Sequence, residues 1–206
     1  LRTVRSHARA LRADTYLEMP ATERKSLLKD AELVYLYHNV IDATGEKLAT
    51  ENSVFDACSD AVEDVCALAK RVCMDAPGAR VAITADHGFL YTRHDLDECE
   101  RVGKADLPAA ESVCGKRHLV VRADDAAEFA GGAGAGAGQA PFIRVGMDDV
   151  DGGRFVGFTP RGNVRIKRPG GTCRYVHGGV SLQELCVPLV TFWRVGARSK
   201  DFQDTR

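Results

Sequence analysis

Two apolar runs, Leu33–Ile41 and Val81–Ala85, flank a stretch from about Ser53 to Asp75 whose apolar residues recur at helical spacing. This order constrains the chain more than any other feature. Two parallel strands need a crossover connection of a dozen residues or more, and a helix is the usual one. Both ends of the helix carry signals. Ser53 and Asp56 stand like a shortened capping box at its start, and Pro77-Gly78 closes it. Within it Phe55, Cys58, Val62, Val65, Cys66, Ala69, Val72 and Cys73 continue an i, i+3, i+4, i+7 stripe, so these cysteines read as small buried hydrophobes. The pattern predicts an α/β fold built on a parallel sheet flanked by helices.

Outside that unit the signals are shorter. Arg2–Leu17 is basic and Ala-rich and is predicted helical, and after Pro20 a second helix is expected from its N-cap Thr22 to about Glu32. Beyond Tyr91 the periodicity loosens, with no clear repeat over Arg93–Gly115. His118–Arg122 is predicted to be a short strand, and Phe142–Val145, Arg154–Phe158 and Asn163–Lys167, separated by Gly and Pro, short antiparallel ones. Ala130–Gly138 alternates Gly and Ala; such a tract cannot hold a core position against its backbone entropy and is expected to be a flexible loop. Residues 116–170 are therefore predicted to form a small inserted β-rich subdomain. The sheet is then expected to resume through Arg174–Val176, a short helix at Ser181–Leu185 and a last strand at Leu189–Val195.

Composition limits what this fold can serve. With 206 residues and 45% hydrophobic content the chain can bury one sizeable core. Lys and Arg number 28 against 29 acidic residues, so no global charge draws it to nucleic acid or a membrane surface. No run approaches the length of a membrane span and the first residues lack an apolar signal core, so the protein is expected in the cytoplasm and away from membranes. Seven cysteines, an odd count with no CxxC pair, argue against both a disulfide framework and a thiolate zinc site. Cys173 and Cys186 flank His177 but have no partner at ligand spacing.

Three apolar stretches end in residues that can hold a ligand. Val81–Ala85 stops at Asp86-His87-Gly88, Tyr35–Ile41 stops at Asp42, and Tyr175-Val176 stops at His177-Gly178-Gly179. Ligands gather at strand ends in α/β sheets, and carboxylate with imidazole is a metal-binding combination. Adjacent side chains point opposite ways along a strand, so Asp86 and His87 can share an ion only where the strand has ended, and Gly88 permits the turn. Taken alone, Asp86 and His87 could as well be a hydrogen-bonded structural pair. His38 fits a histidine that orients Asp42, while His7, His94 and His118 have no motif context and are expected at the surface. Arg161, Arg165, Lys167, Arg168 and Arg174 could hold a phosphate, but a solvated face is the default reading of such a cluster.

Tyr37-His38-Asn39-Val40-Ile41-Asp42-Ala43-Thr44-Gly45, Thr84-Ala85-Asp86-His87-Gly88-Phe89 and His177-Gly178-Gly179-Val180-Ser181-Leu182-Gln183-Glu184 resemble, in this order, the PglZ domain. That domain belongs to bacterial BREX and Pgl phage-defence proteins and to the alkaline phosphatase superfamily. The resemblance covers most of the chain and is least distinct over residues 93–170. It implies an alkaline-phosphatase-like sheet and a pair of divalent metal ions, usually zinc, that clamp a phosphoryl group between them. By motif position Asp86 and His87 resemble ligands of one ion, and Asp42 and His177 ligands of the other.

Two departures follow. Where many superfamily members have a His four residues after the Asp matching Asp42, this chain has Glu46, which adds negative charge and makes manganese or magnesium admissible beside zinc. The superfamily also takes its nucleophilic Ser or Thr from a segment well upstream of the Asp42 motif, and Thr44 and Thr84 do not occupy that position. The chain is therefore expected to be the C-terminal part of a PglZ domain, supplying metal ligands and inactive alone.

The resemblance implies a metal-dependent phosphohydrolase or phosphodiesterase acting on a phosphate ester, nucleic acid among the candidates, alongside other BREX proteins. The alternatives are a non-catalytic interaction module of the defence complex and a phosphomutase-like or sulfatase-like enzyme. The Tyr37–Asp42 wording favours PglZ over the last of these.

Overall fold

The computed structural model describes residues 7–103, 111–130, 142–168 and 174–195. They divide into two compact units. The first takes the chain up to Thr44, Ser53–Thr84 and the chain from Pro188 on; the second takes Gly45–Asn52 and Ala85–Val187.

In the first unit, strand β1 (Ala8–Arg12) leads through helices α1 (Ala13–Glu18) and α2 (Ala21–Asp30) to β2 (Leu33–Tyr37). The two strands pair in parallel, from Ala8 opposite Leu33 to Arg12 opposite Tyr37. This corrects the helix expected over Arg2–Leu17. Ala, Leu and Arg are good helix formers, but intrinsic propensity is a weak prior, and the β2 ladder overrides it until Ala13. Residues 2–6 lie outside the described residues.

The apolar run after Glu32 also divides: β2 ends at Tyr37, and Val40 opens helix α3 (Val40–Gly45). Although its run is apolar, β2 is not buried throughout. Leu33, Tyr35 and Tyr37 are exposed, while Leu36 packs against a core of Ala13, Tyr16, Leu68 and Val72 with Leu11, Leu27, Leu28 and Val81.

Helix α4 (Val54–Asp75) forms where predicted, with its buried face made by Val54, Ala57, Ala61, Leu68, Ala69 and Val72. Ala69 and Val72 were on the expected stripe, but Phe55, Val62 and Cys66 are exposed. The helix carries apolar residues on more than one side, so periodicity admits two phases, and packing selects the one rich in Ala. Strand β3 (Arg80–Thr84) follows and pairs antiparallel with β12 (Leu189–Trp193), Leu189 opposite Thr84 and Trp193 opposite Arg80. α4 thus joins β2 to β3 in chain order as read from the sequence, while the hydrogen-bonded neighbours observed are β1 for β2 and β12 for β3.

The second unit is rich in β structure. Strands β4 (Leu90–Tyr91) and β5 (Arg101–Val102) precede β6 (Glu111–Cys114), β7 (Leu119–Arg122), helix α5 (Ala123–Ala130), β8 (Phe142–Gly146), helix α6 (Asp148–Asp151) and β9 (Phe155–Pro160). β6, β7, β9 and β8 form a four-stranded antiparallel sheet in that spatial order. Leu119, Val121, Phe142, Val156 and Phe158 from it bury a core with Val102, Ala126 and Ile166. Three of its strands match predicted runs, whereas β10 (Arg165–Ile166), expected to be antiparallel, pairs in parallel with β5. The Gly/Ala tract lies outside the described residues except for Ala130, which ends α5. β11 (Tyr175–Val176) and helix α7 (Leu182–Leu185) complete the unit.

The fold is mixed α/β, with several small sheets and seven α-helices among the described residues. No described helix is long and apolar enough to cross a membrane.

Candidate functional site

Two of the three predicted motif ends meet in the second unit, and the strand pairing explains how. β11 runs antiparallel to β4, with Val176 opposite Leu90 and Tyr175 opposite Tyr91. The segment entering one strand and the segment leaving the other therefore lie at the same end of the pair. His87 enters β4 and His177 leaves β11. Their rings stack with centroids 4.2 Å apart and 3° between planes. Phe89 and Tyr175 pack one step behind them, ring centroids 4.7 Å apart.

Carboxylates flank both imidazoles. His177 Nε2 lies 3.1 Å from Glu46 Oε1, and His87 Nε2 lies 3.8 Å from the exposed Asp86 Oδ2. His87 Nδ1 lies 3.1 Å from the Gly88 carbonyl oxygen. A carbonyl can only accept, so this contact assigns the proton of a neutral ring to Nδ1 and leaves the lone pair on Nε2, the atom facing Asp86. By the same argument the Glu46 carboxylate assigns the His177 proton to Nε2.

Two glycines permit this approach. Gly88 N–H donates to the Glu184 carbonyl at 2.8 Å, and a Cβ on Gly88 would lie 2.0 Å from the Gln183 carbonyl oxygen. Close backbone contact, in addition to the turn expected from sequence, therefore requires glycine there. Gly178 has φ +93°, in the left-handed region, and turns the chain immediately after His177.

Sequence reasoning missed the residues underneath. Arg117 and Glu184, each with a side chain only 1% exposed, form a two-pronged pair: Nε donates to Oε1 at 3.1 Å and Nη2 to Oε2 at 2.9 Å. The same carboxylate accepts from Gly179 N–H at 2.9 Å, Ser181 N–H at 3.2 Å and Ser181 Oγ at 2.7 Å. Burial works to raise the Glu184 carboxyl, but the hydrogen bonds from Arg117 and Ser181, the Arg117 charge and the Gly179 amide outweigh it and hold it below its ordinary range. The signal for Glu184 was present: Ser181-Leu182-Gln183-Glu184 is a capping box, and both of its bonds form. His118, expected at the surface, is half-buried and close enough to His177 to feel its charge. Burial, then His177, depresses its pKa.

Asp42 and His38 lie in the first unit, Asp42 half-buried on α3 and His38 with Nε2 3.2 Å from Asp64 Oδ2. His38 and Asp64 line a cleft of about 320 Å³ together with Arg12 and Tyr37, at the carboxyl ends of the parallel strands β1 and β2. Much of the basic cluster is engaged elsewhere: Lys167 pairs with Glu98, Arg174 with Asp95 at 3.3 Å, and Arg165 is buried beside Asn163.

Imidazole and carboxylate are the donors a divalent first-row ion prefers, so the chemistry of this set fits such an ion. They come as pairs, Glu46 with His177 and Asp86 with His87; among the described residues no group of three His, Cys, Asp or Glu side chains is disposed to hold a metal.

The family description that matches this chain is the BREX system PglZ alkaline phosphatase-like domain, over residues 1–192. The chain belongs to the PglZ family. It is 33% identical to the alkaline phosphatase-like protein BrxZ of Escherichia coli O9:H4 (strain HS) over 88% of its length. It is 29% identical to the alkaline phosphatase-like protein PglZ of Bacillus cereus (strain H3081.97) over 90% of its length. These matches cover 20% and 21% of the two relatives, so the chain spans about a fifth of the length of the curated PglZ proteins it matches. The family is alkaline phosphatase-like, which carries with it an expectation of metal dependence.

Proposed function

We propose that this PglZ chain supplies metal ligands to a metal-dependent phosphohydrolase or phosphodiesterase of a bacterial phage-defence system of the BREX or Pgl type. One observation carries the reading. Residues from three separate motifs converge: His87 stacks on His177 at 4.2 Å, and Glu46 touches His177 at 3.1 Å. In this reading Asp42, Glu46, Asp86, His87 and His177 hold two divalent ions, zinc foremost, with manganese or magnesium admissible because Glu46 replaces an imidazole. When bound, such ions polarise phosphoryl oxygens and lower the pKa of an attacking hydroxyl.

The chain's own part is to present donors in the right protonation state. The Gly88 carbonyl keeps the His87 proton on Nδ1, so the lone pair is on Nε2, 3.8 Å from the Asp86 carboxylate, whose other oxygen accepts the His87 backbone N–H. At His177 and Glu46 an ion would take the place of the shared proton, the neutral ring keeping its one proton by shifting it to Nδ1, so these two residues would hold the ion in competition with protons. The substrate is a phosphate ester, nucleic acid being one candidate, and the setting is the cytoplasm, alongside other proteins of the defence system. The alkaline-phosphatase-like parallel sheet is the fold that accompanies this reading.

The absence of a three-donor group among the described residues favours one alternative, an interaction module of the defence complex that keeps the fold without catalysis. Metal analysis and hydrolysis of an aryl phosphate diester by the full-length protein separate the two. The enzyme reading expects about two divalent ions per chain and loss of hydrolysis in His177→Ala. Undiminished hydrolysis by an Asp86→Ala, His177→Ala double variant would sink it.

A further inference from the structure

We propose that Glu184, clamped by Arg117, is the positioning residue that holds His87 and His177 face to face. Its relevance to catalysis rests on the reading of these histidines as ligands, but the positioning itself does not. Glu184 is bonded to the backbone beside both imidazoles. Its carbonyl accepts the Gly88 N–H, one residue after His87, at 2.8 Å. Its carboxylate accepts the Gly179 N–H, two residues after His177, at 2.9 Å. A shift of this single residue would therefore move both turns.

Arg117 leaves Glu184 little room to shift. Two guanidinium bonds fix the plane of the carboxylate, a geometry that lysine, a point charge, cannot reproduce. Arg117 is itself held from two sides: Nη1 donates to the Val164 carbonyl, just before β10, at 2.5 Å, and its own carbonyl accepts the hydroxyl of Thr159, on β9 of the four-stranded sheet, at 2.8 Å. His118, next in sequence, packs against the left-handed turn at Gly178, where a Cβ would meet His118 Nδ1 at 2.6 Å. Neighbouring residues before β7 thus grip the His177 turn from two directions. The β-rich part of the second unit acts here as a scaffold that aims two imidazoles.

Side-chain NMR of the isotope-labelled chain tests this. Stacked imidazoles shift one another's ring protons, so in the native chain His87→Gln should displace the His177 signals, and His177→Gln those of His87. In Glu184→Gln, which keeps side-chain shape but removes the charge, this mutual displacement should fall by at least half while far-ultraviolet circular dichroism stays native. Arg117→Lys should reduce it as well. An undiminished mutual displacement in Glu184→Gln overturns the proposal. If Glu184→Gln does not fold, Ser181→Ala, which removes one hydroxyl donor to the carboxylate, and Arg117→Lys decide the matter. A reduced displacement in either supports the proposal, and full displacement in both overturns it. Addition of Zn²⁺ alone separates this proposal from the ligand reading. Imidazole signals that ignore the ion count against ligation, whereas loss of mutual displacement in Glu184→Gln is read with no metal present.

Discussion

Among the described residues, an arginine is buried against a carboxylate in each unit, Arg24 with Asp75 and Arg117 with Glu184, and the two pairs do different things. In the first unit Arg24 Nε meets Asp75 Oδ2 at 2.7 Å, with side chains 9% and 5% exposed, and the Tyr16 hydroxyl donates to the same oxygen at 3.0 Å. That pair ties α1 and α2 to the last turn of α4, and no candidate ligand adjoins it. In the second unit Arg117 and Glu184 bond the backbone on either side of two candidate ligands. Desolvating a charge pair costs about what its attraction returns, so neither pair is retained simply for stability. What separates them is what they adjoin: helices in one case, histidines in the other.

The sharpest way to break the comparison is to remove one charge of each pair. Arg24→Ala and Arg117→Ala each leave a buried carboxylate without its partner, and both should lower the unfolding free energy in urea titrations, Arg117→Ala by about 3–5 kcal/mol. Losses in both are expected to accompany unequal effects on the site. Only the Arg117 change should alter the His87 and His177 ring signals, and a similar alteration from Arg24→Ala would erase the distinction.

Backbone approach comes next. Gly88→Ala sets a Cβ 2.0 Å from the Gln183 carbonyl, and since that atom belongs to the backbone it cannot swing away. The expected cost is about 1–3 kcal/mol. Gly178→Ala has two defects, a φ of +93° and a Cβ 2.6 Å from His118 Nδ1. Its left-handed turn alone should cost about 1–2 kcal/mol. An equilibrium denaturation curve checks both, and an unaffected midpoint in Gly88→Ala would show that the Gly88 turn does not press against the Gln183 carbonyl.

Lowering the pH probes both pairs at once. Glu184 and Asp75 each hold their carboxyls below the ordinary values of 4.5 and 3.8, each against the opposing pull of burial. A depressed folded-state pKa adds stability that is present above the unfolded value and disappears as pH falls through the folded one. Unfolding free energy should therefore be steady near neutrality and decline below about pH 5. Glu184→Gln and Asp75→Asn should each flatten that decline, and a parent-like slope in both would mean that neither carboxylate is held as described.

What the sequence made legible follows from how far each signal reaches. The long helix, β3 and the motif ends at His87 and His177 were readable because apolar runs, capping residues and glycines are local. The strand at Ala8–Arg12 was not, because its conformation depends on a partner 25 residues away, at Leu33–Tyr37, while its own residues favour helix. The Arg117–Glu184 pair spans 67 positions, and neither residue differs from a surface charge until the chain has folded. Half of it was still accessible, since a Glu three residues after Ser181 announces a cap. The role of His118 had no local signal, because its surroundings are set by the turn at Gly178.

The smallest expected effect belongs to the third pair, His38 with Asp64, in the first unit. The contact is 3.2 Å, as short as many buried bonds, but the Asp64 side chain is 61% exposed. Water solvates the aspartate whether or not the histidine is present, and the side chains lose conformational freedom to meet, so such pairs contribute about 0–1 kcal/mol. Asp64→Asn should lower the unfolding free energy from urea titration by no more than that, and added salt should shrink the difference further. If Asp64→Asn cost as much as Arg117→Ala, distance and not burial would set the strength of these pairs, and the contrast between the Arg24–Asp75 and Arg117–Glu184 pairs would have to be argued on other grounds.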